Sequence, residues 1–133
     1  MIKFITNSKN IFKVYNLLIV ALYLYPGSFL GCIFYKNCGK QPQLTKDFYD
    51  ISSNHVYVFI LLSILGLFAY AKEKKIKYLM LYLFSISIIL ELFHLLIPKR
   101  GFEYSDLYGN ILGVLIVFFI YLIYIFLKKY AQK

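Results

Sequence analysis

The sequence predicts an all-α integral membrane protein, a four-helix bundle with both termini cytoplasmic. Three observations carry that reading. The 133 residues are 61% hydrophobic and 20% aromatic but only 16% charged, whereas soluble domains carry about a quarter charged residues. The apolar residues fall in four long runs, each near the roughly 20 residues needed to cross a hydrocarbon core. The runs do not alternate apolar with polar, as barrel strands would, and only helices satisfy their backbone within one segment. The length suits one domain, 1–133.

The first span is expected at 14–35, uncharged throughout, with a kink where Pro26–Gly27 removes a backbone hydrogen bond. Lys3, Lys9 and Lys13 ahead of it resemble a signal-peptide n-region, but the stretch is too long and too aromatic, and no small-x-small cleavage site follows. It reads as a retained helix. Spans two, three and four are expected at 55–71, 78–97 and 107–127. Lys36 to Asn54 is the one long connector.

The connectors set the orientation. Ten positive residues lie in the tails and the second connector (Lys3, Lys9, Lys13, Lys72, Lys74, Lys75, Lys77, Lys128, Lys129, Lys133), against five on the other side (Lys36, Lys40, Lys46, Lys99, Arg100). The positive-inside rule therefore places both termini in the cytoplasm. Asp47, Asp50, Glu103 and Asp106 lie opposite and agree with that assignment. The net charge of +9 is distributed over connectors rather than along one face. It implies contact with lipid headgroups, and no nucleic-acid partner is expected. Trp is absent, so Tyr15, Tyr35, Tyr70, Tyr78, Tyr104 and Tyr130 are the expected interfacial belt.

Gly27/Gly31 and Gly109/Gly113 form two GxxxG patterns, expected to pack helices closely within the monomer. Cys32 and Cys38 fit no metal spacing. They can pair if their end faces an oxidising space, but two free thiols near a helix end are expected.

The chemistry concentrates around span three. Glu91 and His94 are i, i+3 on one helix face. Pro98–Lys99–Arg100–Gly101 ends that helix. Ser105 is the expected N-cap of the next, with Asp106 in its first turn and Asn110 and Gly113 following on the same face. A short connector makes these two helices neighbours, and His55 opens span two at the same depth. His55, Glu91, His94, Arg100, Asp106 and Asn110 are thus expected to form a polar pocket near the outer leaflet, because ionisable groups inside a span are costly and by default functional. The structural alternative is glue: Glu91 paired with His94 or Arg100, Asp106 as a cap, Asn110 as an interhelical bond. Histidine and carboxylate side chains suit zinc, but no ligand motif of distinctive spacing occurs, so neither metal nor cofactor is expected.

The stretch Glu91–Leu–Phe–His–Leu–Leu–Ile–Pro–Lys–Arg100, followed by Ser105–Asp106–Leu–Tyr–Gly–Asn110–Ile–Leu–Gly113, resembles the VanZ-like family of small bacterial membrane proteins. Glu91, Arg100, Asp106, Asn110 and Gly113 match the family pattern. His94 stands where Gln is usual, and Ile51 and Ser52 stand where Asp and Lys are usual ahead of His55. The resemblance covers roughly 55–127. It implies a multi-pass protein of the bacterial plasma membrane, and a family whose name-giving member is associated with glycopeptide resistance, teicoplanin more than vancomycin.

Three functions are compatible with these residues. The first is action at the outer leaflet on a lipid-linked or peptidoglycan-related molecule, with Arg100 and Lys99 holding an anion and Glu91 as acid or base. The second is a non-catalytic accessory or scaffold protein for another envelope component. The third is a small oligomeric transporter, weakened by the lack of an inverted repeat. No nucleophile constellation decides whether the chain is an enzyme.

Overall fold

The computed structural model describes residues 2–71 and 75–132, with side chains from residue 7 onward. Lys72, Lys74 and Lys133, used in the charge argument, and the side chain of Lys3 lie outside the described residues. All the described regular structure is helical: α1 (Ile2–Leu24), α2 (Phe29–Tyr35), α3 (Ser53–Tyr70), α4 (Ile76–Phe93) and α5 (Tyr104–Ala131). Helices α3, α4 and α5 are each long and apolar enough to cross a membrane, and α1 with α2 passes that test only as a bent pair.

Helix α3 is central, packing on α1, α4 and α5, while α1 and α4 also touch. Phe59, Leu62, Leu83, Val114 and Phe118 fill the middle and are almost wholly buried. The outward faces are apolar too. Phe119, Ile120, Leu122, Phe126 and Leu127 on α5 stand exposed, a surface larger than water tolerates on a monomer. Together with the three apolar helices, this marks a membrane protein.

The first span differs from its expected form. It is not one kinked helix over 14–35. Helix α1 starts at Ile2 and ends at Leu24, and α2 turns away from it by 80°. Pro26 cannot continue the hydrogen-bond ladder, Gly27 takes φ 82°, and Ser28 caps α2 by accepting from the Gly31 N–H at 3.0 Å. Tyr15, expected at a span end, consequently lies in the middle of α1, with its hydroxyl 3.5 Å from the Val58 carbonyl oxygen.

The cysteines also differ from expectation: Cys32 and Cys38 are joined as a disulfide. Lys36 adopts a left-handed conformation (φ 52°) that ends α2 and turns the chain back, and the Ser28 N–H donates to the Cys38 carbonyl at 2.6 Å. That return brings the two cysteines together. Gly27 and Gly31 serve this turn: a Cβ at Gly27 would lie 2.6 Å from the Cys38 carbonyl oxygen, and one at Gly31 would meet the Lys40 and Asn37 carbonyls. The first GxxxG pattern thus seats a loop, whereas Gly109 and Gly113 pack α5 on α3.

The long connector is pinned to the start of α3. Asn54 accepts from the Leu44 N–H at 3.0 Å and donates to the Pro42 carbonyl at 2.7 Å. Asp47 accepts from the Ser53 N–H at 2.9 Å. Helix α4 stops at Phe93, short of the expected 97. Its continuation tightens into i→i+3 bonds (Leu95 to Leu92, Leu96 to Phe93), because Pro98 disfavours helix in the residue before it. Helix α5 starts at Tyr104, so Glu103 rather than Ser105 occupies the cap position, and it makes no side-chain cap bond.

Candidate functional site

One end of the molecule gathers the last turn of α1, the first turn of α3, the last turn of α4 and the first turns of α5. Glycine makes this possible. A Cβ at Gly109 would lie 2.6 Å from the Ser52 carbonyl oxygen and 2.8 Å from the His55 Cβ. Without one, the α5 backbone comes close enough for the Ser52 N–H to donate to the Ser105 carbonyl at 3.0 Å. This contact brings His55 of α3 beside Asp106 and Asn110 of α5.

His55 is buried, with Nε2 3.3 Å from Asp106 Oδ2 and Nδ1 3.0 Å from Asn110 Oδ1. Tyr23, at the end of α1, donates its hydroxyl to Asn110 Oδ1 at 2.7 Å and lies 2.9 Å from His55 Nδ1. Asn110 Nδ2 donates to the Ser87 carbonyl of α4 at 3.1 Å, which fixes the amide orientation. Asn110 is fully buried and bonds α1, α3 and α4 at once.

Glu91 is fully buried in the last turn of α4. Its Oε1 accepts from the Glu103 N–H at 3.0 Å and meets His94 Nδ1 at 3.2 Å. Among the described residues its Oε2 and His94 Nε2 are buried without a partner, a state that ordinarily costs about 1–3 kcal/mol per group. The His94 ring stacks on Tyr23, centroids 5.5 Å apart and planes 18° apart. One ligand atom each from His55, Glu91 and Asp106 lies within 4.8 Å of the others.

The structure brings five of the six expected residues into this cluster: His55, Glu91, His94, Asp106 and Asn110. Arg100 stands at its edge with a different task. Its Nη2 donates to the Leu22 carbonyl at 3.1 Å and its Nε to the Tyr25 carbonyl at 3.3 Å. Burial lowers the pKa of its guanidinium from the ordinary value, and nearby Tyr23, Asp106 and Glu91 oppose that shift. Arginine remains charged. Among the described residues neither Glu91 nor Asp106 forms an ion pair with Lys or Arg.

Sequence reasoning missed Tyr23, Ser87 and Glu103. Tyr23 is one of 14 tyrosines and carries no local signal, while Ser87 and Glu103 contribute backbone groups, to which residue type is blind.

Two cavities adjoin the cluster. An apolar one of about 290 Å³ lies between α1, α2 and α3, walled by Leu18, Ile19, Leu22, Phe34 and Val58, with His55 and Arg100 among its lining. A polar one of about 220 Å³ reaches Asp106 from the connector side, between Gln41, Asp47, Ser52, Asn54 and Glu103. No family model, no curated protein and no solved structure matches the chain.

Proposed function

We propose that this chain is a four-span protein of the bacterial plasma membrane, of the VanZ-like type, with both termini cytoplasmic. It takes the apolar chain of an envelope amphiphile, such as a lipid-linked precursor, into the cavity between α1, α2 and α3 at the outer leaflet. The carrying observation is that cavity: apolar walls, aliphatic and aromatic, with His55 and Arg100 among the lining residues. An alkyl chain fits the first, and an anionic headgroup the second, because a guanidinium partly out of water binds phosphate or carboxylate strongly. Leu44, Phe48 and Tyr49 are exposed on the adjoining connector, as side chains in the interfacial zone are.

Native mass spectrometry of protein extracted from bacterial membranes tests this. The expected result is a retained lipid whose occupancy falls when Ile19→Trp fills the cavity. A well-folded wild type that carries no lipid, or an Ile19→Trp variant that carries as much, removes the reading. The envelope role is tested by teicoplanin and vancomycin susceptibility of a Gram-positive host bearing empty vector, wild type or Glu91→Gln at matched membrane levels. Tolerance in wild type alone is expected.

A second reading, a non-catalytic accessory protein, is favoured by Asn110, whose side chain is consumed in holding three helices together. It expects Glu91→Gln to lower abundance rather than activity, and a partner to co-purify.

A further inference from the structure

The hydrogen-bond network around His55 decides which of its nitrogens carries the proton. Asn110 Oδ1 can only accept, and it already receives the Tyr23 hydroxyl proton. His55 Nδ1 faces that oxygen at 3.0 Å and the Tyr23 oxygen at 2.9 Å. Nδ1 must therefore be the donor, since otherwise lone pairs face lone pairs inside the protein. A neutral His55 then directs the bare lone pair of Nε2 at Asp106 Oδ2, 3.3 Å away. Two electron-rich atoms at that distance need something positive in contact with both.

Glu91 meets the same condition. The Glu103 N–H and His94 engage Oε1, and Oε2 is left buried with no partner among the described residues. Two carboxylates and an imidazole nitrogen thus converge within 4.8 Å, and none of the described Lys or Arg side chains neutralises either acid by direct pairing.

We propose that His55, Glu91 and Asp106 bind a divalent transition-metal ion of the zinc class. Imidazole and carboxylate are ordinary ligands for it, at roughly 2.0–2.2 Å, so the three side chains draw inward around the ion as it binds. The ion takes the Nε2 lone pair and the free Glu91 oxygen, and it offsets two negative charges, one fully buried on Glu91 and one partly exposed on Asp106. The surroundings are those of metal ligands: Asn110 and Tyr23 hold the far nitrogen of His55, and His94 with the Glu103 amide holds Glu91. A route in exists. The polar cavity that reaches Asp106 also carries Asp47 and Glu103, so a cation is drawn toward the one ligand that is partly exposed. Three protein ligands leave a coordination position open to water or substrate on that side. This inference does not depend on lipid occupying the apolar cavity.

The test is metal content and cobalt spectroscopy on tag-free full-length protein in detergent micelles. After chelator dialysis, reloading with zinc is expected to give one ion per chain by elemental mass spectrometry. Loss of a supporting residue alone typically weakens a metal site about 10–100-fold, so Asp106→Asn and Glu91→Gln are expected to weaken zinc binding by at least about tenfold. Saturating cobalt is expected to give wild type a visible ligand-field band that chelator abolishes. Wild type that takes up no zinc and shows no cobalt band overturns the proposal, and a proton between His55 Nε2 and Asp106 Oδ2 then joins the pair. Unchanged affinity in both folded variants overturns it equally, because the metal then sits elsewhere. The wild-type titration and spectrum decide the matter if a variant fails to fold.

Discussion

Arg100 gives the Leu22 carbonyl the hydrogen bond that Pro26 cannot. In an uninterrupted helix residue 26 would donate to residue 22, but proline has no N–H. The guanidinium, arriving from the α4–α5 turn, donates to Leu22 at 3.1 Å and to Tyr25 at 3.3 Å. It thereby ties the break in the first span to the turn between α4 and α5. Arg100→Ala is expected to destabilise the protein by about 2 kcal/mol, since bonds to a charged donor contribute about 1.5–3 kcal/mol. Arg100→Lys should recover less than half of that, because a point charge cannot reproduce the fork. Thermal unfolding in detergent measures both, and an Arg100→Ala protein as stable as wild type would refute the account.

The same pair shows how far the sequence could be read. Arg100 stood out as an anion-binding residue because a guanidinium beside Lys99 suits phosphate or carboxylate, while its engagement with α1 was hidden. That contact links residues 78 apart in the chain and depends on a carbonyl, which residue type does not announce. Spans three and four were legible because Glu91/His94 and Asp106/Asn110 repeat at helical spacing on otherwise apolar runs, and their meeting followed from a short connector. The first span was less legible. A proline among apolar residues signals a break but not its angle, and the Asn- and Lys-containing start of α1 hid the helical residues 2–13 ahead of the expected span. Pairing of Cys32 with Cys38 depended on the left-handed Lys36, a conformation that lysine does not advertise.

Gly113 allows α5 to lie against α3, and adding one carbon there should be costly. A Cβ at this position would stand 2.6 Å from the Val56 carbonyl oxygen and 2.8 Å from the Phe59 Cβ. Neither backbone nor a fully buried ring can yield easily. Gly113→Ala is therefore expected to cost about 1–3 kcal/mol, the usual range for overpacking. Gly101→Ala is the control, since nothing lies within 4 Å of a Cβ there, and it should be neutral. Equal stability of the two variants would show that the α3–α5 seam is looser than described.

The disulfide reports on orientation. Cys32 and Cys38 are joined at the end that the proposed topology puts outside the cell, where disulfides persist. Intact cells are expected to resist a membrane-impermeant maleimide until an impermeant reductant is added, and then to take up two labels per chain. Labelling without reduction would mean that the thiols are free. Labelling that requires permeabilised cells would invert the topology.

Zinc binding by His55, Glu91 and Asp106 must depend on pH with a definite sign. The ion binds neutral imidazole and ionised carboxylates, so protons compete for all three ligands and are released as metal enters. Affinity is therefore expected to rise with pH and to fall steeply in acid. Asp106 contributes to that competition, so Asp106→Asn should flatten the dependence as well as weaken binding. Isothermal titration in two buffers of different ionisation enthalpy counts the protons released per zinc. Positive release that grows as pH falls fits the site as drawn. Zinc uptake with no proton release across the acid range would mean that none of the three ligands carries a proton at any pH, and would overturn the site, since imidazole and carboxylate both protonate in acid.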